Sequence, residues 1–197
     1  MRKYSVRTCL IAVVVTALLS GCAGMMAKPT EENFKPPVIT LENMEVAHAF
    51  GYWYFSNKVK PTKGKPDNVG APLDLAFTFN VENPNPYPIE LKELKFTVAF
   101  EDFELNTVGT DAAQWIPPGM TNQVRVHAHF DVRQSLLSIL VTGGFKLKEK
   151  GMNAWQALEK WWIGIPNYEI PVQVKGGSAI AKADSVTKVV SFNATFP

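Results

Sequence analysis

Cysteine and histidine are scarce in this sequence, which has two cysteines and three histidines among 197 residues. An excess of charge of one sign is also lacking, because 20 lysines and arginines face 18 aspartates and glutamates. A domain that binds nucleic acid needs a clearly basic surface, so the composition argues against a nucleic-acid partner. Hydrophobic residues make up 46% of the chain, which is enough for one core and argues against wholesale disorder.

The motifs of the common enzyme classes are missing as well. The sequence contains no G-x-S-x-G elbow, no phosphate-binding P-loop, no G-x-G-x-x-G and no H-E-x-x-H. His127 and His129 share the outward face of one predicted strand, and His48 would have to supply a third metal ligand. Histidines at positions i and i+2 are typical of a solvated strand, and the acidic pair Glu101-Asp102 is typical of a solvated turn. We therefore predict no catalytic residue, no cofactor and no metal site, and we predict that the chain is not an enzyme.

The first 22 residues resemble the signal of a bacterial lipoprotein. Three basic residues in the first seven precede an apolar run over residues 10–19. Ten helical residues span about 15 Å, roughly half of a bilayer core, so this run is a signal sequence rather than a membrane span. It ends in Leu19-Ser20-Gly21-Cys22, which resembles the lipobox whose cysteine carries the diacylglycerol. We predict a signal peptide over residues 1–21 and lipidation of Cys22. The alternative is an ordinary secretory signal with an incidental cysteine.

Removal of this leader would leave Cys22 as the only cysteine, because Cys9 is lost with it. The mature chain then has no intramolecular disulfide, no thiol nucleophile and no cysteine metal site. In bacterial lipoproteins an aspartate after the cysteine typically retains the protein at the inner membrane. By that resemblance, Ala23 implies the outer membrane, facing the periplasm, while inner-membrane and cell-surface placements stay open. Residues 22–37 are mixed and punctuated by proline, so we predict a lipidated tether there.

Alternating apolar and polar residues predict several short strands in the rest of the chain. The clearest example covers residues 73–81, and another follows over residues 89–100 with a tight hairpin at Glu101-Asp102. The other predicted strands lie at residues 38–47, 103–105, 124–130, 170–174 and 190–196. This spacing predicts an all-β fold, an antiparallel immunoglobulin- or fibronectin-III-like β-sandwich of about seven strands.

Two stretches break the strand pattern and predict a helical insertion. Asp131 and Gln134 resemble a capping box, and Gly143-Gly144 would end the helix that follows. A second helix is predicted over residues 152–162 because three apolar residues fall on one of its faces, namely Trp155, Leu158 and Trp162. Such a stripe is most often packed in a core. The alternative is a face for a partner or for lipid, with Trp161 at its edge.

One motif resembles the signature of a known family. The string Asn80-Val81-Glu82-Asn83-Pro84-Asn85-Pro86-Tyr87-Pro88-Ile89 is similar to the N-P-N signature of the LEA type 2 family, whose module is also called the WHy domain. The strand order around the string agrees, so we expect one LEA type 2 domain over residues 38–197. Two departures are a longer loop at residues 56–71 and the tryptophan-bearing helix. The three prolines of the string remove amide donors at alternate positions, which predicts a sheet edge or a crossing between sheets.

Five aromatic residues crowd into residues 50–55, and they cannot all face one sandwich core. Either they pack internally, or they form an exposed patch that marks an interface. If they are exposed, Tyr52, Trp53 and Tyr54, together with Trp161, are the predicted partner contacts. Lysines at positions 58, 60, 63 and 65 follow, and we interpret them as part of a solvated loop. Binding of anionic lipid or polysaccharide by this loop is the alternative.

The family resemblance implies a non-enzymatic, stress-linked protective role, such as stabilising membrane or protein surfaces during desiccation. We therefore expect an outer-membrane-anchored periplasmic lipoprotein whose membrane partner is reached through Cys22. The main alternative is a structural or accessory subunit of a cell-envelope assembly, which contacts an envelope protein through the aromatic segment. A further alternative is a carrier that holds an apolar ligand between the sandwich and the helix.

Overall fold

Antiparallel strands form most of the molecule in the computed structural model, which describes residues 28–52, 70–110 and 112–197. Eight strands lie in this described part of the chain: β1 (Val38–Ala49), β2 (Pro72–Glu82), β3 (Ile89–Phe100), β4 (Phe103–Thr110), β5 (Gln114–Ile116), β6 (Thr121–Asp131), β7 (Val172–Ala183) and β8 (Val186–Phe196). Three helices are inserted between β6 and β7: α1 (Val132–Thr142), α2 (Gly144–Glu149) and α3 (Ala154–Gly164), followed by a short 3-10 helix at Ile165–Asn167.

The strands are arranged in two sheets. One has three strands in the order β1-β2-β6, and the other has the order β4-β3-β7-β8 with β5 paired to β3. Every pairing is antiparallel. The predicted antiparallel sandwich with a helical insertion is therefore confirmed. The details that were missed include the three-residue strand β5 and the second half of β7, where small residues such as Gly176 and Gly177 replace the apolar alternation.

The core lies between the sheets and follows the period of two in the sequence. On β2 every second residue from Leu73 to Val81 is buried. Phe77 and Phe79 both lie edge-on to Phe96 of β3, with ring centroids 5.2 and 5.1 Å apart. Aromatic pairs in this geometry gain about 1 kcal/mol beyond their buried area. These contacts join the two sheets at the centre of the sandwich.

The predicted hairpin after β3 is confirmed. Glu101 and Asp102 have φ angles of 48° and 74°, so two consecutive residues adopt the left-handed conformation. This is the backbone of a type I′ turn, whose twist matches that of the strands that it joins. The hairpin thereby brings Glu101 to the end of the sandwich where the helices lie.

Helix α1 begins where it was predicted, directly after Asp131, whereas α3 begins at Ala154, two residues later than predicted. Asp131 caps α1 by accepting a hydrogen bond from the amide of Arg133, and the reciprocal capping box is instead made by Asn153 and Gln156 at the start of α3. The buried face of α3 is formed by Ala154, Ala157, Leu158, Trp161 and Trp162. Trp155, which we placed on that face, is 51% exposed because it lies at the border of the buried arc.

The N-terminal segment is more ordered than a tether along much of its length. Phe34 is buried, and Lys188 of β8 donates hydrogen bonds to the carbonyl oxygens of Glu31 and Phe34 at 3.0 and 2.8 Å. The Lys188 ammonium also lies 5.7 Å from the ring centroid of Phe34. Residues 30–37 therefore pack against the folded body. None of the helices formed by the described residues is long and apolar enough to cross a membrane.

Candidate interaction surface

Metal-binding chemistry is not assembled within the part of the chain that the structure describes. Asp74 lies in register between His48 on β1 and His129 on β6, and its carboxylate pairs with Nδ1 of His129. His127 lies opposite Ala76 instead. No group of three or more histidines, cysteines, aspartates or glutamates in the described ranges is placed to hold a metal ion.

The N-P-N string forms a buried polar cluster, centred on Asn83. The amide nitrogen of its side chain donates to the carbonyl oxygens of Tyr87 at 2.8 Å and of Ile116 and Pro117, both at 3.1 Å. The side-chain oxygen accepts hydrogen bonds from the backbone and side-chain amides of Asn85, at 3.0 and 2.9 Å. Buried polar side-chain atoms are stable only where they form hydrogen bonds, and both the nitrogen and the oxygen of the Asn83 side chain do so.

Asn85 extends this cluster to the N-terminal segment. Its side-chain oxygen accepts from the amide of Lys35 at 2.8 Å, and its side-chain nitrogen donates to the carbonyl of Lys35 at 2.8 Å. The Tyr87 hydroxyl donates to the side-chain oxygen of Asn33 at 2.9 Å. We call Asn83, Asn85 and their partners the asparagine latch. It lies where the chain crosses from β2 in one sheet to β3 in the other, as the prolines predicted.

Two of the four predicted partner contacts are buried. Tyr52 packs into the core, and its hydroxyl donates to the carbonyl of Trp155 at 3.4 Å. Burial, with a smaller contribution from Glu159, raises the pKa of Tyr52 to about 12. Trp161 is also buried, with its ring centroid 5.7 Å from that of Phe100 and 5.3 Å from that of Phe103. Neither side chain is accessible at the surface, so both are packed internally.

The other predicted site residues lie outside the described residues. They are Cys22, Trp53 and Tyr54, together with the lysine-rich loop.

Glu101 ties helix α3 to the β3–β4 hairpin. Its carboxylate accepts a hydrogen bond from the Trp161 indole nitrogen at 2.8 Å and pairs with the ammonium of Lys160. Burial alone raises the pKa of Glu101, but hydrogen bonds and charge from its partners outweigh burial and hold the pKa below its ordinary value. The sequence interpretation placed this carboxylate in a solvated turn, and the structure instead makes it a structural contact between the sandwich and the insertion.

Helices α1 and α2 carry an exposed apolar surface that the sequence analysis missed. Leu137, Leu140, Val141 and Phe145 are 65%, 60%, 83% and 89% exposed, and we call these four residues the α1–α2 surface. A shallow cavity of about 290 Å³ lies where α1 meets α2. It is lined by Leu140, Val141, Gly144, Phe145 and Lys148.

The opposite face of α1 is packed against the core. Val132, Ser135 and Ile139 are buried there. Apolar side chains therefore surround most of this helix, which is typical of a helix covered on both sides. The sequence indicates this exposed apolar face through the scarcity of charge in α1, where Arg133 is the single charged residue among eleven positions.

Basic residues outnumber acidic ones in the segment that carries this surface. Arg133, Lys146, Lys148 and Lys150 fall within residues 132–150, where Glu149 is the single acidic residue. Lys146 donates to the carbonyl of Asp102 at 3.1 Å, and Lys150 lies 5.9 Å from the ring centroid of Phe103. The helical insertion thus combines exposed apolar side chains with a local positive charge.

Comparison with known proteins gives one family and a group of distant structural neighbours. The family model described as late embryogenesis abundant protein matches residues 78–194. No curated protein matches the sequence. A protein from Archaeoglobus fulgidus shares 12% identity over 79% of this chain and 94% of its own length, with a TM-score of 0.41. The ApaA protein from Bordetella pertussis shares 9% identity over 82% of this chain and 94% of its own, with a TM-score of 0.42.

A third structure in that group is of a protein described as late embryogenesis abundant. It shares 11% identity over 94% of this chain and 85% of its own length, with a TM-score of 0.24.

Proposed function

Because the chain belongs to the late embryogenesis abundant (LEA type 2) protein family, we propose that it is a lipid-anchored, non-enzymatic protein that stabilises membrane or protein surfaces during water loss. The anchor is the diacylglycerol on Cys22, and the location is the periplasmic face of the bacterial outer membrane. Support for the anchor comes from the lipobox-like string that ends at Cys22, and support for the location from Ala23.

The observation that supports this proposal best is the connection between the family signature and the N-terminal segment. Asn85 holds both backbone polar groups of Lys35, so the chain is bound to the body thirteen residues after Cys22. Five residues lie between Cys22 and Lys28, the first described residue, and the six peptide steps from Cys22 to Lys28 reach at most about 20 Å. An anchored body would therefore stay close to its membrane, with the latch end nearest to the lipid.

The described packing does not favour the two alternatives weighed from the sequence. An accessory subunit was to use the aromatic segment, but Tyr52 is buried and Trp161 fills the interior. A carrier needs space between the sandwich and the helix, and Trp161 occupies that space together with Phe100 and Phe103. The protective role is therefore the function that we put to the test.

Intact-mass analysis of the full chain expressed in a Gram-negative bacterium tests the anchor. We expect a mature chain that begins at Cys22, carries a lipid-sized mass increment and fractionates with the outer membrane. The Cys22→Ser variant should lose both the increment and the membrane association, while a Ser20→Ala control should keep them because a small residue is retained. An unmodified cysteine, or fractionation of the wild type with the inner membrane, would contradict the proposed anchor or its location.

Drying tests the protective role separately. A chain that begins at Ala23 keeps every described residue, and the core of the body begins only at Phe34. Dried together with a desiccation-sensitive enzyme, this chain should preserve more activity than a β-sandwich control of similar size and charge. Dried together with dye-filled vesicles, it should reduce leakage. Equal recovery with the control protein in both assays would reject a protective role.

A further inference from the structure

Helix α1 has an apolar face that none of the described residues covers. Leu137, Leu140 and Val141 follow one another at helical spacing on the face opposite to the buried residues Ser135 and Ile139. Phe145 continues this face onto α2 and has the most exposed of the four side chains. Soluble monomers rarely expose contiguous apolar patches larger than a few hundred Å², and larger ones mark interaction sites.

The charge near this surface indicates which kind of partner would bind it. Four basic residues and one acidic residue lie within residues 132–150, although the whole chain is close to neutral. A second copy of the same surface would bring like charges together, which opposes a symmetric dimer. An anionic surface instead attracts the basic rim while the apolar side chains leave water. Lys148, which lines the cavity next to Phe145, provides a charge directly beside the apolar residues.

We propose that the α1–α2 surface binds an anionic lipid bilayer. Phe145 and Val141 enter the boundary between headgroups and acyl chains, and Lys148, which lies beside them, is at the level of the lipid phosphates. Interfacial helices bind in this way, with aromatic and aliphatic residues buried and lysines at the headgroups. Binding grows with the apolar area buried and with the negative charge of the membrane, and salt weakens the second contribution.

The helix that carries the surface begins at one end of β2, and the asparagine latch lies at the other end. Pro72 of β2 pairs with Asp131, where α1 begins, whereas Glu82 at the other end of β2 lies next to the asparagine latch. The eleven residues of β2 separate these ends by about 35 Å. The stretch from Cys22 to Lys28 cannot span that length, so contact at both ends would lay the body along the membrane. This consequence rests on the proposed anchor, but the binding itself does not.

Vesicle flotation with the chain that begins at Ala23 tests the proposal without any lipid anchor. The probes are vesicles of phosphatidylcholine alone and vesicles that also contain about 30% phosphatidylglycerol. We expect the protein to float with the anionic vesicles, with about tenfold weaker partitioning to the neutral ones and weaker binding in high salt. Phe145→Trp should show a blue-shifted increase in fluorescence when anionic vesicles are added.

Matched variants assign the binding to the surface. The double change Val141→Ser and Phe145→Ser should weaken binding at least about tenfold, and Lys148→Glu should weaken binding to anionic vesicles selectively. Val189→Ser is the control, because Val189 is 66% exposed on β8, outside the insertion. Each change alters an exposed side chain, and an unchanged melting temperature would confirm that the variants are folded.

Three results would overturn the proposal. They are no flotation of the wild type with anionic vesicles, flotation that the double change leaves intact, and a concentration-dependent dimer that the double change abolishes. The last result would assign the surface to a second copy of the chain. None of them bears on lipidation of Cys22, which is read from the intact mass of the full chain, so failure of this proposal and failure of the anchor are distinguishable.

Discussion

Replacement of Asn83 by alanine tests whether the asparagine latch holds the fold together. The side chain makes five hydrogen bonds and is fully buried. Its removal leaves three carbonyl oxygens and two amide groups of Asn85 without that partner. A hydrogen bond contributes about 1 kcal/mol net, and a buried group left unpaired costs about 1–3 kcal/mol. One side-chain nitrogen serves all three carbonyls, so these costs do not add fully, and we expect a loss of about 3–4 kcal/mol.

Urea unfolding of the chain that begins at Ala23, followed by far-ultraviolet circular dichroism, measures this loss. A domain of this size has about 5–15 kcal/mol of stability and loses about 2–4 °C in melting temperature per kcal/mol, so we expect a decrease of about 10 °C. Asn106→Ala is the matched control. Asn106 is only partly buried, and its side chain donates a solvent-exposed hydrogen bond to the carbonyl of His129 at 3.0 Å, so its loss should stay below about 1 kcal/mol.

The variant Asn83→Asp separates hydrogen bonding from packing, because aspartate has nearly the same shape as asparagine. A carboxylate oxygen would replace the nitrogen that faces the carbonyls of Tyr87, Ile116 and Pro117. Repulsion should raise the pKa of this new carboxyl in the folded state, so the folded protein binds more protons and the variant gains stability as pH falls. A loss below about 1 kcal/mol for Asn83→Ala, or an aspartate variant as stable as wild type at neutral pH, would refute the role of the latch.

Three further predictions follow from single contacts. Because the pKa of Glu101 is lowered in the folded state, its contribution to stability is lost as pH falls through that pKa. In the Glu101→Gln variant the free energy of unfolding should therefore depend less on pH below about pH 4.5. The pKa of Tyr52 near 12 means that stability decreases above about pH 10, where the unfolded tyrosine ionises first, and Tyr52→Phe should remove that decrease in alkaline denaturation. A methyl group on Gly177 would lie 2.5 Å from the carbonyl oxygen of Phe192, so Gly177→Ala should cost about 2–3 kcal/mol in urea unfolding.

Most strands could be predicted because a half-buried strand shows its period directly in the sequence. Residues 73–81 and 124–130 alternate strictly, and both lie within antiparallel strands of one sheet. The second half of β7 could not be found in this way, since residues 175–179 include two glycines and a serine and carry no apolar alternation. Their strand depends on pairing with β3 and β8, which is information from outside the segment.

The contacts of the N-terminal segment lay beyond sequence reasoning for a similar reason. The prolines at 84, 86 and 88 predicted a crossing between sheets, and β2 and β3 do lie in different sheets on either side of them. The partner of Asn85 is Lys35, fifty residues earlier, in a stretch without periodicity. Local rules indicate that an asparagine will satisfy backbone groups, but they cannot indicate which distant segment supplies those groups.

The two ends of the sandwich differ in what their side chains do for the fold. At the latch end, Asn83 and Asn85 are buried with their polar atoms paired, so a substitution there should lower stability. At the helical end, Phe145 and Val141 are among the most exposed apolar side chains of the described residues and bury little area in the folded chain. Apolar area stabilises the fold only when it leaves water, at about 25 cal/mol per Å². The stability of the folded chain therefore does not explain why apolar residues stand at these positions, whereas the proposed contact with a membrane would remove them from water.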